Sequence, residues 1–557
     1  MQFIPEQENF FNVIKTTKHK VKFDCAPGTG KTFAVNTMAE ELIKRGEFVF
    51  LTSFSKIGTA QFNVPGALIK TTNALGLAIC QNHFYSANNP KRNGRFWGIN
   101  TKFDKYSYIL RRQYTQGYDK KSDEYKAVSK EISKMMQDGL YDLTNFARYY
   151  NCKTREDLVK IWPLVSKEDY VEEFTNLVFA ALDEGIWRYQ TNGSVDFTDT
   201  IWLPNVFDMQ LYGFYHYIDK NEVAYYSRYG VKYTQKTKVP YIEFPHPSKI
   251  TIFADEYQDC NFSEMLFLKQ FVDSGSRIVL VGDQDQAIYA FRGSLNNASK
   301  VASEIFSDLH TCKISTTFRC PKSHTEYMRN KIVSFEGIAP RPLHETIVSY
   351  RDEEGELLEC DLNNIVDYII PGKTAIIGRN FNGKNSDIIP ALMQILNYSD
   401  YTIRVEGVEL NNGYVKRVLS VMQEHNVDRI SAKEIIIFEE EQKIASDENY
   451  YVNLNDLKDE LDFAVLVIGL CAGCETVSEI ADFLKNYFDN PNPDVIFSTI
   501  HKAKGATYQN VIVLNANRWP YFDERNNIEA NLQEINLMLV AFSRSNNRMV
   551  LCNYPNL

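Results

Sequence analysis

Short runs of β-branched and other apolar residues punctuate the chain and end in polar or glycine-rich turns. They are Val21–Asp24, Phe48–Thr52, Ile250–Phe253, Arg277–Val281, Thr374–Ile377, Val495–Ser498, Val511–Leu514 and Met549–Leu551. Most are continuously apolar, not alternating, which predicts strands buried on both faces, as in a parallel sheet covered by helices. Val21–Asp24 departs from this because Lys22 interrupts it. Helical periodicity fills the intervals, as at Phe33–Arg45, so the expected fold class is α/β. The strands fall into two groups, each interrupted by a long insertion. Segments 1–80 and 249–305 are expected to form one parallel-sheet domain around a mainly helical insertion at 81–248. Segments 306–405 and 490–557 form the second, around a reduced, mainly helical insertion at 406–489 that exits through Asn490-Pro491-Asn492-Pro493.

A chain of 557 residues with 44% apolar and 24% charged residues has the mix of a globular protein, excluding disordered, collagen-like and disulfide-stapled classes. Its longest apolar run, Phe463–Gly473, falls short of the roughly 20 residues that span a bilayer, so no membrane partner is expected. The N-terminus lacks the basic start and apolar core of a signal peptide. Ten scattered cysteines then point to a reducing, cytoplasmic setting. Only Cys471 and Cys474 are close-set, and without a second pair they read as packing sooner than as a metal site. A net charge of −10 argues against general polyanion binding but leaves room for a local basic groove.

Candidate chemistry begins at Ala26-Pro27-Gly28-Thr29-Gly30-Lys31-Thr32, between the first strand and a helix. Glycines let backbone N–H groups approach phosphate oxygens, and a helix N-terminus favours their charge. Lys31 would reach the β/γ-phosphates, and the Thr32 hydroxyl would ligate Mg2+. Cys25 stands where the general pattern has its first glycine. An accidental glycine turn is the alternative, and the alignment of strand, lysine, threonine and helix argues against it. Ile250–Phe253 runs into Ala254-Asp255-Glu256-Tyr257-Gln258-Asp259. Carboxylates at the C-terminal end of a parallel strand sit where such sheets bind ligands. Asp255 suits Mg2+, and Glu256 suits a base that orients the attacking water. Alone the pair would be a solvated turn; beside a phosphate cradle it reads as catalytic.

The next strand ends in Val281-Gly282-Asp283-Gln284-Asp285-Gln286-Ala287-Ile288-Tyr289-Ala290-Phe291-Arg292-Gly293. With Asp255–Asp259 and Thr499-Ile500-His501-Lys502-Ala503-Lys504-Gly505, this stretch resembles the UvrD/PcrA/Rep-like superfamily 1 DNA helicases of bacteria and phages, in that family's order. The resemblance implies two RecA-like domains with ATP and Mg2+ in the cleft between them. It implies adenine recognition by Gln7, a nucleotide pocket from Ala26 to Thr32 together with Gly505, and γ-phosphate sensing by Gln286. In Thr316-Thr317-Phe318-Arg319, Phe318 would stack on adenine and Arg319 would reach the γ-phosphate. In Leu539-Val540-Ala541-Phe542-Ser543-Arg544-Ser545, Arg544 would be the arginine finger. Such a group stabilises the transferring phosphoryl only when the cleft closes, and is worth about 10³–10⁵ in rate. Phe33 replaces a family arginine, and Thr507 replaces an acidic residue.

Single strands are held by stacking on aromatics and by backbone contacts in a basic groove. The resemblance places DNA against Phe54 and Lys56, against Thr72 and Asn73 (the latter replacing a histidine), and against Thr499 and His501. Phe291 stands where the family stacks a tryptophan; Tyr289 either stacks as well or packs. Lys91, Arg92, Arg95, Lys102, Lys105, Arg111 and Arg112, with interleaved aromatics, form either a solvated basic face or a DNA contact. Val195-Asp196-Phe197-Thr198-Asp199 resembles a further family segment. The stretch Tyr225–Tyr241 suits a hairpin gripping DNA or a tyrosine-rich packing element.

The function implied is an ATP-dependent helicase moving 3′→5′ on single-stranded DNA. It would work at single-strand/duplex junctions in replication, repair or recombination, with proteins of those pathways as candidate partners. The rival reading is a DNA-responsive ATPase subunit of a defence or recombination complex that senses DNA without processive unwinding. The second insertion is expected to have a limited core. As a reduced version of the family's mobile domain, it predicts unwinding by a monomer.

Overall fold

The computed structural model describes residues 3–554 apart from 19, 55, 101–103, 167–168, 213–214, 227–231, 244, 296, 334–345, 380–386, 407–411, 447–456, 459–460, 463, 466–467, 470–478, 480–489 and 523–527. Two six-stranded sheets organise it. The first holds β1 (Lys20–Cys25), β2 (Phe48–Ser53), β3 (Leu68–Ile69), β4 (Ile250–Asp255), β5 (Arg277–Gly282) and β6 (Leu309–Ile314), in the order β6-β1-β5-β4-β2-β3. The second holds β7 (Glu356–Asp361), β8 (Thr374–Gly378), β9 (Ile403–Glu406), β10 (Val495–Thr499), β11 (Tyr508–Leu514) and β12 (Ser545–Asn553), in the order β7-β12-β11-β8-β10-β9. Every pairing in both sheets is parallel. The fold is α/β, with two RecA-like parallel-sheet domains.

The continuous apolar runs are the interior strands. Lys22 does not break β1, because its ammonium lies 3.4 Å from the buried Asp24 carboxylate and donates to the Ser299 hydroxyl. The edge strand β6 shifts the expected boundary at 305/306. It pairs with β1 from Lys20↔Leu309 to Cys25↔Ile314, so the first sheet runs through Ile314 and the crossing falls at Ser315. Glu6 accepts hydrogen bonds there from the Ser315 and Thr316 N–H groups (3.2 and 3.3 Å).

Apolar side chains cover both faces of each sheet. On one face of the first sheet, Phe10, Phe23, Val35, Met38 and Val279 form a core. On the other face, Ile252 and Leu280 share a core with insertion residues Tyr106, Ile109, Phe146, Phe174 and Trp202. The first insertion is mainly helical and is packed onto the sheet. It also carries an antiparallel pair, Tyr215–Tyr226 with Lys232–Glu243. This pair overlaps the stretch that suited either a DNA-gripping hairpin or tyrosine-rich packing; its side chains lie outside the described residues. The helices Asn412–His425 and Arg429–Ser446 begin the second insertion. Val418 and Ile436 join one core with Ile376 and Phe497 of the second sheet. These helices thus share the sheet's core. The eight described cysteines are free and buried, and Cys471 and Cys474 lie outside the described residues. Among the described residues, no helix is long and apolar enough to cross a membrane.

Candidate nucleotide cleft and nucleic-acid track

β1 ends at Cys25, and the loop beyond it turns through two left-handed glycines, Gly28 (φ 74°) and Gly30 (φ 76°). The helix Lys31–Lys44 then starts with no side-chain cap and no acidic residue in its first turn. Its first N–H groups are left to an outside acceptor, the arrangement that binds phosphate. A Cβ at Gly28 would lie 2.4 Å from the Arg319 Cβ, so nothing larger than glycine fits. The second domain approaches this loop directly, with the Phe318 N–H donating to the Gly28 carbonyl (2.8 Å).

The resulting cleft of about 180 Å³ is lined by Ala26, Pro27, Gly28, Thr29, Gly30, Lys31, Thr32, Glu256, Gln286, Arg319, Gly505 and Arg544. Nearly every residue expected at the nucleotide from sequence is thereby gathered from two domains. Gln7 is buried beside the loop and donates to the Thr29 carbonyl (3.3 Å). The Phe318 ring lies about 3.9 Å from where a Gly30 Cβ would be, and its centroid is 4.7 Å from that of Tyr350. Phe33 lines the same cleft, its ring 5.9 Å from Phe3.

Lys31 contacts Asp255 (3.2 Å) and hydrogen-bonds Glu256. Burial pulls the Lys31 ammonium down, but the Asp255 and then the Glu256 carboxylate more than reverse this and hold it above the ordinary lysine value. Burial lifts Asp255, and Lys31 only partly offsets it. Glu256 is held low: burial works upward, but Lys31 and Lys504 outweigh it. Glu256 thus stays ionised, as a water-orienting base must. Its backbone is left-handed (φ 56°), a conformation that costs a non-glycine residue about 1–3 kcal/mol and turns the chain sharply at the strand end. Asp255 is buried with the Lys31 ammonium against its Oδ1 (3.2 Å), and the buried Thr29 hydroxyl has no hydrogen-bond partner among the described residues. A buried carboxylate, an unsatisfied hydroxyl and a lysine beside an uncapped helix end fit a magnesium-bound triphosphate.

Gln258 joins the two strand ends, its Oε1 accepting the Asp283 N–H at 3.0 Å. Asp283 in turn accepts from the Gln286 amide (2.7 Å). Arg544 of the second domain donates to Gln286 Oε1 across the cleft at 3.1 Å. Burial, and then the neighbouring Arg319 guanidinium, work against the charge on Arg544. Arg319 itself donates to the Ser543 carbonyl (3.1 Å). Two guanidiniums crowded at one wall favour a polyanion between them.

Sequence reasoning missed Lys504. Its ammonium reaches both oxygens of Asp259 (2.6 and 2.8 Å) and the Gln286 carbonyl (2.9 Å), bridging the domains at the cleft. Each partner lay inside a quoted motif, but nothing in one motif signals that its charge answers a charge 245 positions away. Gln61 was also missed; its amide lies 3.5 Å from the Thr32 hydroxyl.

The expected nucleic-acid residues are only partly united. Phe54 stacks near Tyr289 (5.8 Å between centroids, 28°), and Tyr289 faces His501 (5.9 Å). Tyr289 donates to the His501 carbonyl (3.3 Å), while the His501 ring lies 3.2 Å from the Ile288 carbonyl. These two residues therefore form a contact between domains. Thr499 precedes the helix Ile500–Ala503 and is half-buried beside them. Thr72 departs from the expectation: it is buried, with its hydroxyl 3.2 Å from that of Thr52, so it braces the strand end. Asn73 spends both amide hydrogens on the Phe197 carbonyl (2.7 Å) and the Thr200 hydroxyl (3.2 Å). The side chains of Lys56 and Phe291 lie outside the described residues.

The basic stretch also divides. Lys105 is buried on Asp199 (2.6 Å), and Tyr106 donates to the same carboxylate (3.0 Å). Arg148, buried beneath them, pairs with Asp196 (2.7 Å) and Asp199 (3.0 Å). The segment Val195–Asp199 is thus the acidic side of an internal ion network. Arg111 donates to Ser133 (2.8 Å), Arg112 pairs with Glu184 (2.6 Å), and Lys102 lies outside the described residues. Among the described residues of that list, Lys91, Arg92 and Arg95 are exposed, as is Arg112 in its pair with Glu184.

The sequence that builds this site has counterparts among known proteins. A family model described as the UvrD/REP helicase N-terminal domain matches residues 6–305. The chain belongs to the UvrD/REP helicase family. Among individual relatives, the ATP-dependent DNA helicase Rep of Escherichia coli (strain K12) is 37% identical over 68 residues, covering 12% of this chain and 10% of that protein. The Rep helicase of Salmonella typhimurium (strain LT2) is 35% identical over 68 residues, with the same shares of 12% and 10%. These matches span a tenth of the relatives' length. The family match encloses the phosphate loop, the Asp255–Asp259 segment and Gln286, and it ends before Arg319, Lys504 and Arg544.

Proposed function

We propose that this UvrD/REP family member is an ATP-driven DNA helicase that moves 3′→5′ on single-stranded DNA and opens duplex at single-strand/duplex junctions. The observation that carries the reading is the Arg544–Gln286 hydrogen bond, an arginine of the second domain on a buried glutamine of the first, at the cleft that holds the phosphate loop. Hydrolysis removes the anion that draws these cations together, so turnover and domain separation are one event. Lys31 leaves its two carboxylates for phosphate oxygens, Glu256 orients the water, and Arg319 and Arg544 take up charge on the transferring group. Thr32 and Asp255 are the residues that would hold Mg2+, which supplies further charge neutralisation when bound. Phe54, Tyr289 and His501 lie across the same domain junction, so a strand bound there moves when the junction opens.

The test is strand displacement on duplexes with a 3′ or a 5′ single-stranded tail, with and without ATP. ATP-dependent displacement of the 3′-tailed duplex alone is expected. ATP hydrolysis stimulated by DNA without displacement of either substrate would favour the sensing ATPase.

A further inference from the structure

A second cleft, of about 840 Å³, opens on the first insertion, away from the nucleotide residues. Its floor is a rigid backbone edge. Gly98–Ile99 pairs with Ser194–Val195, and the Trp97 N–H donates to the Asn192 carbonyl at the end of the helix Glu173–Asn192 (3.1 Å). From this fixed edge Trp97 projects with 69% of its surface exposed, and Tyr108 across the cleft is 43% exposed. Burial is the usual fate of such large rings, so two left open on a braced frame mark a contact surface.

The cations have a matching order. Arg188 lies 5.2 Å from the Tyr108 ring centroid and is steadied by Glu184 (2.7 Å). Arg95 is exposed at the rim, and no acidic residue occurs from Lys91 to Phe103. Aromatic faces flanked by guanidiniums are the chemistry of base stacking with phosphate contact. The cleft is also tied through the chain to the segment that Asn73 holds. Ser194, which lines it, is three residues from Phe197, at most about 11 Å of chain. Phe197 is 55% exposed, and its carbonyl is held by Asn73.

We infer that this cleft is a second single-stranded DNA site, stacking an unpaired base on Trp97 and Tyr108 and holding its phosphates with Arg95 and Arg188. The inference rests on the DNA-translocation reading and extends it: the strand bound at the domain junction continues past Phe197 onto the insertion.

The experiment measures affinity of the full chain for oligothymidylates of roughly 4 to 30 nucleotides, bracketing the site sizes of single-strand binders. Wild type is compared with Trp97→Ala, Trp97→Phe and Arg95→Glu. Trp97→Ala should lose roughly 5- to 150-fold in affinity for the longer oligonucleotides, the equivalent of one stacked base, and nothing for the shortest. Trp97→Phe should retain most of the binding, and Arg95→Glu should show the same length-dependent loss. Basal ATP turnover, and turnover at saturating DNA, should match wild type in all three. Unchanged affinity at every length in Trp97→Ala and Arg95→Glu overturns the second site and leaves the helicase reading standing. A loss independent of length also overturns it. A wild-type protein that binds no single strand at any length removes both, and is distinguished from the other outcomes by that control.

Discussion

Lys504→Met isolates the link between the two domains. The Lys504 and Asp259 side chains are 9% and 3% exposed, and their charges are 2.6 Å apart. Removing the lysine leaves the aspartate buried without its contacting counter-ion. Breaking a buried pair from one side costs about 3–5 kcal/mol. At about 1.4 kcal/mol per tenfold, the closed arrangement should fall roughly 10²- to 10⁴-fold in population. The low end is favoured, because burial already raises Asp259 and loss of Lys504 raises it further, so the carboxyl escapes part of the penalty by taking a proton. Asp259→Asn added to Lys504→Met removes the stranded charge and should restore most of the closure. The assay is energy transfer between one label on each domain, with a non-hydrolysable ATP analogue, read for both single variants and the double. Lys504→Met closing like wild type, or a double variant as impaired as Lys504→Met, would show that this pair does not hold the domains together.

Gly28→Ala combines a left-handed φ of 74° with a Cβ 2.4 Å from that of Arg319; ATP turnover should fall by about 10²-fold or more, measured beside an unchanged secondary-structure spectrum. Thr72→Val should leave single-strand affinity unchanged but destabilise the first domain by about 1–3 kcal/mol in urea unfolding, since the Thr52 hydroxyl loses its partner. His501 is pushed down to about 4 by burial and then by Arg379. Its folded value lies below the unfolded one of about 6.5, so its contribution is complete above that pH and is lost as pH falls toward 4. A pH series of thermal unfolding should show a loss of about 1–3 kcal/mol across that window, absent in His501→Gln.

The interior of both sheets was legible in the sequence for a physical reason. β1, β2, β4 and β5, and β8, β10, β11 and β12, have neighbours on both sides, and their apolar runs stand out. The edge strands were harder. In β6 only Cys312 and Ile314 are buried, and in β7 only Cys360, so neither reads as a continuous run. Missing β6 is what displaced the domain boundary. The phosphate loop and strand-end carboxylates were legible because their chemistry needs particular residues at fixed local spacing. Pairings across the fold were not. Lys105 looked like one more surface cation until Asp199 was beside it, and Thr72 looked like a strand contact until Thr52 covered it. Local sequence reports what a residue can do, and long-range packing decides whether it is free to do it.

In the proposed function, residues of both domains hydrolyse ATP together in response to DNA. Steady-state ATP turnover with and without single-stranded DNA, for wild type and Arg544→Ala, tests it most directly. DNA should raise wild-type turnover, and Arg544→Ala should bind ATP yet lose about 10³- to 10⁵-fold of that rate. Wild-type turnover indifferent to DNA, or Arg544→Ala turning over ATP at the wild-type rate, would contradict it.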